Sequence, residues 1–162
     1  MTRKRAKLSH LAPEGTARMV DVSEKPNSSR TARARGTIRM SMDAFEAIRS
    51  HQIAKGDVLS VARVAGIMAA KRTADLVPLC HPLLLEDVQI ELSADAGLPG
   101  IVAESQVRTT GRTGVEMEAI VAVTVALVTV YDMAKSADKG MTIGDISLVE
   151  KTGGRSGPYY NR

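Results

Sequence analysis

Apolar and polar positions along the chain follow two periods, and the switches between them divide it into elements. Thr37 to Ser41 sets Ile38 and Met40 between polar neighbours, the period of two that predicts a strand, and Asp43 to Ser50 brings Phe45 and Ile48 to one side of a short helix. His51 to Gly56 connects this helix to the next. Asp57 is placed to cap a helix running to about Arg72, whose Val58, Leu59, Val61, Ala62, Val64 and Ile67 make it apolar on nearly every side. Such a helix is expected to be buried on more than one face, and its small residues permit close backbone approach.

Thr73 to Leu85 holds Pro78 and Pro82 around Leu79, Cys80 and His81, which predicts a rigid extended connection in place of a helix. Asp87 to Leu92 alternates, Gly97, Pro99 and Gly100 make a turn, and Ile101 to Thr110 returns as the second strand of a hairpin. Thr113-Gly114-Val115-Glu116 has the spacing of a capping box and opens a long run that ends near Lys139-Gly140, with the glycine as C-cap. The run is rich in valine, so strand and helix compete, and its length decides for helix. A last strand, Ile143 to Lys151, leads into Thr152-Gly153-Gly154-Arg155-Ser156-Gly157.

The order of elements is βαββαβ, a ferredoxin-like α+β sandwich with an extra helix. Residues 119 to 131 are apolar all round, whereas one sheet covers one face, so the other face is expected to meet a second subunit.

With 162 residues the chain is long enough for one domain, divided here into a basic N-terminal arm (1–36), a single domain (37–157) and a C-terminal tail (158–162). Residues 1 to 39 carry ten Lys and Arg against three acids, while the remainder carries twelve against fifteen. A basic arm on a mildly acidic body suits nucleic acid, an anionic surface or a polyanionic small molecule, or else is a solvated tail, the reading weighed for residues 1 to 9 with Arg3, Lys4, Arg5 and Lys7. Four aromatic residues, Phe45, Tyr131, Tyr159 and Tyr160, leave little to stack bases on. Cys80 is the only cysteine, which excludes an internal disulfide and a multi-thiolate metal site within one chain. The apolar run Ala119 to Tyr131 falls short of the ~20 residues that span a bilayer, and no apolar segment follows the basic start. No membrane association and a cytoplasmic location are expected.

Three constellations hold titratable chemistry. Asp132 and Lys135, three apart, share a helix face at the polar end of the buried run, either as a surface ion pair or as a working pair. Glu116 and Glu118 open the same helix; Glu116 has a capping duty, so Glu118 is the better functional candidate. Fourteen residues separate Glu118 from Asp132, about 21 Å along an ideal helix, so one chain cannot bring both to one small group. In Leu79-Cys80-His81, neighbours on an extended segment point opposite ways, which argues against a Cys–His dyad. Cys80 reads as a small buried residue, and His81 as a ligand donor or a satisfied core histidine. Lys55, Lys71-Arg72, Arg108, Arg112, Lys151 and Arg155 complete the cations, and neither a Walker lysine motif nor GxGxxG is present.

Seven strings carry a resemblance: Met-Val-Asp-Val-Ser (19–23), Lys-Gly-Asp-Val-Leu (55–59), Ala-Gly-Ile-Met-Ala-Ala-Lys-Arg-Thr (65–73), Leu-Val-Pro-Leu-Cys-His-Pro-Leu (76–83), Thr-Gly-Val-Glu-Met-Glu-Ala (113–119), Tyr-Asp-Met-Ala-Lys (131–135) and Lys-Thr-Gly-Gly-Arg-Ser-Gly (151–157). They closely resemble the cyclic pyranopterin monophosphate synthase family of molybdenum cofactor biosynthesis, from about Leu8 to Gly157. The resemblance implies a lyase that rearranges 3′,8-cyclo-7,8-dihydroguanosine 5′-triphosphate into a pterin and closes a cyclic phosphate with loss of pyrophosphate. It also implies a hexamer, a trimer of dimers, with sites at subunit interfaces.

Carried over by position, the family's acid/base aspartate falls on Asp132 and its essential lysines on Lys55 and Lys135. Its substrate contacts fall on Leu79, Cys80, His81, Met117 and Glu118, with Lys71, Arg30, Arg108 and Lys151 as further cations. Arg155 stands where lysine is common in the family. No metal site and no resident cofactor are expected, with Mg²⁺ accompanying the triphosphate left open. Burial and neighbouring cations would lower a lysine's pKa enough for proton transfer, with Asp132 tuning Lys135. A nucleic-acid-binding ferredoxin-like module and a catalytically silent homologue are the alternatives.

Overall fold

The structure is a computed structural model that describes residues 16–161; residues 1–15 and 162 lie outside it, and with them the expectation of a solvated tail over residues 1–9. In chain order the elements are β1 (Ser28–Arg39), α1 (Met42–Arg49), α2 (Val58–Ala70), α3 (Thr73–Leu76), β2 (Asp87–Asp95), β3 (Gly100–Gly111), α4 (Glu116–Ala134), β4 (Thr142–Thr152) and β5 (Tyr159–Tyr160). The strands form one sheet in the order β2-β3-β1-β4-β5, every neighbouring pair antiparallel. With β5 set aside, this is the strand order of the ferredoxin-like sandwich expected from the sequence.

Pleating decides the two faces of the sheet. On β1, Ala32, Ala34 and Ile38 turn toward the helices and are buried, while Arg33, Arg35 and Arg39 turn the other way. There they pair with Glu104, Glu150 and Asp145 on the flanking strands. This open face carries charges on its central strands where a base-stacking sheet needs aromatics, and none of β1–β4 contains an aromatic residue. The nucleic-acid alternative finds no support in it.

On the other face α4 lies across β1, β3 and β4, and α2 packs on α4 and β2. Two glycines set the spacing: a Cβ at Gly36 would stand 2.9 Å from Val123 Cγ1 under α4, and one at Gly66 would stand 2.8 Å from the Ala122 carbonyl and overlap Ile90 Cδ1. Ala119, Ala122, Val123, Ala126, Leu127 and Val130 are the buried side of α4. At 19 residues α4 is long and apolar enough to cross a membrane, and its place as the core helix accounts for that composition.

Several boundaries differ from the sequence reading. The strand expected from Thr37 begins at Ser28, so the last quarter of the arm is in the centre of the sheet. Its inward residues are alanines, small because α4 lies close above them, and alanine gives a weak strand signal. The extended connection expected from Thr73 starts instead with a single helical turn, Thr73–Leu76, whose Thr73 hydroxyl donates to the Ala70 carbonyl at 3.0 Å, and a tight turn follows in which Cys80 N–H donates to Val77 O at 3.0 Å. The capping box is absent: Val115 is the N-cap of α4, with no side-chain hydrogen bond. Nor does Gly140 end that helix, which stops at Ala134 with Lys135 as cap; Asp138 then accepts from the main-chain N–H groups of Ser41 and Gly140, at 2.7 Å each. Tyr159 and Tyr160, assigned to the tail, pair with Lys151 and Glu150 as an edge strand.

Candidate active site

A cavity of about 740 Å³ opens where the N-terminal end of α4 meets the ends of β1 and β4. That volume is in the range of small-molecule sites. Its walls come from five parts of the chain: Val20, Val22, Lys25 and Pro26 before β1, Ser28 and Arg30 on β1, Leu79-Cys80-His81 and Leu83, Arg112-Thr113-Gly114 with Glu116-Met117-Glu118 at the start of α4, and Lys151 on β4 with Gly154-Arg155-Ser156 after it. Of the residues expected in a site, Arg30, Leu79, Cys80, His81, Met117, Glu118 and Lys151 therefore come together. Pro78 and Leu79 lie in a turn closed by the Cys80 N–H, which donates to the Val77 carbonyl at 3.0 Å, and from this turn Leu79, Cys80 and His81 reach the wall.

Charge in the cavity is lopsided. Lys25, Arg30, Arg112, Lys151 and Arg155 face Glu116 and Glu118. Arg30 is held by carbonyls, its Nε donating to Gly111 O at 2.9 Å and Nη2 to Arg112 O at 3.2 Å, so its charge is positioned without being neutralised. None of Lys25, Arg30, Arg112 and Arg155 has a carboxylate partner among the described residues; Lys151 pairs with Glu116 at 3.3 Å.

Glu118 is only 4% exposed, and burial, reinforced by the Glu116 charge, pushes its carboxyl up to about 7. The same burial, with the Glu118 carboxylate beside it, raises the Cys80 thiol, so Cys80 stays protonated near neutral pH and is no thiolate nucleophile. Asp21, on the irregular stretch between Val20 and Val22, lies within electrostatic reach of His81.

A second cluster occupies the opposite end of α4. Lys55 donates to the Asp132 carboxylate at 2.8 Å and to its main-chain carbonyl at 2.7 Å, and Lys135 donates to the other carboxylate oxygen at 2.6 Å. The two lysines hold Asp132 down to about 2, and Asp132 in turn raises Lys135. This corrects the expectation of a lowered lysine: within one chain the ion pair keeps Lys135 protonated. The helix between the clusters is unbroken, so Glu118 and Asp132 stand about 21 Å apart.

Two expected cations are in neither cluster. Arg108 lies on the open face of the sheet, 3.8 Å from Glu86, and Lys71 caps α2 outside the cavity lining. Sequence reasoning counted Arg112 and Arg155 among the cations without assigning them to the site, did not single out Lys25, and gave Glu116 to a cap. The surplus of positive charge before residue 39 and around the glycine-rich stretches was the available signal. Among the described residues no group of three or more His, Cys, Asp or Glu comes together as a metal would require.

A model of the MoaC family matches residues 19–154. Among curated proteins, the chain is 59% identical to the cyclic pyranopterin monophosphate synthase of Methylobacterium sp. (strain 4-46), over 95% of this chain and 96% of that protein. It is 58% identical to the protein of the same name from Heliobacterium modesticaldum, over 94% and 96%, and 54% identical to that from Thermomicrobium roseum, over 95% and 93%.

Proposed function

This chain belongs to the MoaC family, and from that premise we propose that it carries the synthase activity for which its relatives are named. In this reading it is a lyase that takes 3′,8-cyclo-7,8-dihydroguanosine 5′-triphosphate to cyclic pyranopterin monophosphate and pyrophosphate, in molybdenum cofactor biosynthesis. The observation that carries it is the cavity's uncompensated positive charge. Four of the five cavity cations have no carboxylate partner among the described residues, so within the cavity positive charge exceeds negative. A triphosphate brings three to four negative charges and fits that surplus. Its approach is not opposed by the two carboxylates, because Glu116 is ion-paired and Glu118 is half protonated near pH 7.

The chemistry follows from these positions. As a substrate hydroxyl attacks the α-phosphorus, charge builds on the departing pyrophosphate, and Arg30, Arg112, Lys151 and Arg155 are placed to stabilise it. Opening and reclosing the purine need proton transfers near neutral pH, for which Glu118 has the matching acidity. No resident cofactor enters this scheme, and any Mg²⁺ arrives with the triphosphate. The reading keeps the cytoplasmic location expected from the sequence.

Asp132, Lys55 and Lys135 enter the same reaction only from a second copy. Val61, Val64 and Met68 on α2 and Met117 and Val128 on α4 form an exposed apolar stripe between the two clusters, with Met117 also on the cavity wall. Two copies related by a two-fold axis across this stripe, their α4 helices antiparallel, bring the second copy's Asp132 cluster to this cavity. The cation-rich cavity would then counter the Asp132 charge and lower Lys135 toward a working acid/base. Three such dimers make the hexamer. Incubating the purified chain with the cyclic triphosphate is expected to yield pyrophosphate and pterin product one to one. Absence of pyrophosphate release from authentic substrate would overturn the reading.

A further inference from the structure

Lys151 leaves the sheet at the end of β4, and its ammonium is held from two sides. Ser156 Oγ accepts from Nζ at 2.8 Å, and Glu116 Oε1 lies 3.3 Å away. An ammonium has three N–H donors, so these two contacts leave one for a ligand. Glu116 reaches Lys151 because its carboxylate lies flat against Gly114, where a Cβ would overlap it.

Ser156 reaches Lys151 because the loop between them doubles back. Gly153, Gly154 and Gly157 take φ of +87°, +80° and +68°, a course closed to most L-residues, and Gly157 N donates to Gly154 O at 3.3 Å. The loop is fastened at both ends, to β1 through β4 and through the pairing of Tyr159 with Lys151. In its middle the Arg30 guanidinium rests on Gly154, where a Cβ would overlap Nη1. A serine hydroxyl held this firmly limits the lysine beside it to one direction.

We propose that Ser156 is a positioning residue that aims the Lys151 ammonium into the cavity, so that Lys151 meets the phosphates of the bound polyanion. The inference rests on the polyanion reading of the cavity and goes beyond it by assigning a task to a residue that need not touch the ligand. A flexible lysine must lose rotamer freedom when it binds phosphate, and a hydroxyl that has already fixed it removes part of that cost.

The test is binding of inorganic triphosphate, measured by calorimetry on the full chain and on Ser156→Ala, Ser156→Thr, Lys151→Met and the Ser156→Ala/Lys151→Met double variant. Ser156 is exposed, so its truncation leaves the fold intact. Ser156→Ala is expected to weaken binding by about three- to ten-fold, the worth of one hydrogen bond, and Ser156→Thr to restore it. In the Lys151→Met background the serine change is expected to have no further effect. Equal weakening in both backgrounds, no weakening at all, or no triphosphate binding by the unmodified chain overturns the proposal. Turnover of the cyclic substrate is scored separately. Coupled binding without turnover would sink the synthase reading alone, and turnover without coupling would sink the positioning role alone.

Discussion

Glu118 shows how one buried carboxyl links stability to the site. Its folded pKa of about 7 stands above the ordinary glutamate value of 4.5. Between those values the unfolded chain releases a proton that the folded chain keeps, so stability falls as pH rises from about 4.5 and levels off above 7. Glu118→Gln removes the penalty: the variant should match the parent at pH 4 and exceed it at pH 8, by as much as about 3 kcal/mol in denaturant unfolding. A pH-independent difference would show that Glu118 is not the titrating group. At the other end of α4, Lys135 and Asp132 are exposed, so Lys135→Ala and Asp132→Asn should abolish product formation while leaving the circular dichroism spectrum and assembly unchanged. Activity in Asp132→Asn with none in Lys135→Ala would mean that the two are not a working unit. The motif strings led to six of the cavity residues, Leu79, Cys80, His81, Met117, Glu118 and Lys151, and the resemblance carried Arg30 over by position. Arg112 was counted only as a cation and Lys25 was not singled out, since a cation's duty depends on whether a carboxylate stands near it in space, which spacing along the chain does not tell.

The elements were legible where their periods were strong. Phe45 and Ile48 facing inward, Asp57 as cap and the 87–110 hairpin stand as read, because burial and capping there are local to the pattern. The first three quarters of β1 were hidden because the packing of α4 against Gly36 asks for alanines below it, and Arg-Thr-Ala-Arg-Ala-Arg has the strand's alternation without its apolar residues. Glu116 was misread for a related reason: a capping-box spacing is common to caps and to a helix whose first carboxylate serves a lysine across the cavity. The α2–α4 contact gives an element-scale prediction. Gly66→Ala overpacks against Ile90 and the Ala122 carbonyl, at a cost of about 1–3 kcal/mol. That exceeds the ~1 kcal/mol alanine gains over glycine in a helix, so the variant's Tm should fall. A raised Tm would show that the two helices have room to part.

At the scale of the molecule, α4 is both core and spacer. One side closes the sandwich, part of another is covered by α2, and the remaining stripe from Met117 to Val128 joins a cation-rich cavity to a Lys–Asp–Lys cluster that it holds about 21 Å away. The surplus of apolar positions on this helix was evident from its sequence. That α2 covers part of it within the chain was not, since helix–helix pairing depends on the close approach at Gly66. The central claim is that the two clusters work as one site across two copies. It is tested most directly by mixing an inactive Glu118→Ala protein with an inactive Asp132→Ala protein under conditions of proven subunit exchange. Random pairing gives half the dimers one intact site, so about a quarter of the parent activity should return. No recovery despite exchange would contradict the account: the site is then built within one chain, or one of the two carboxylates is only structural.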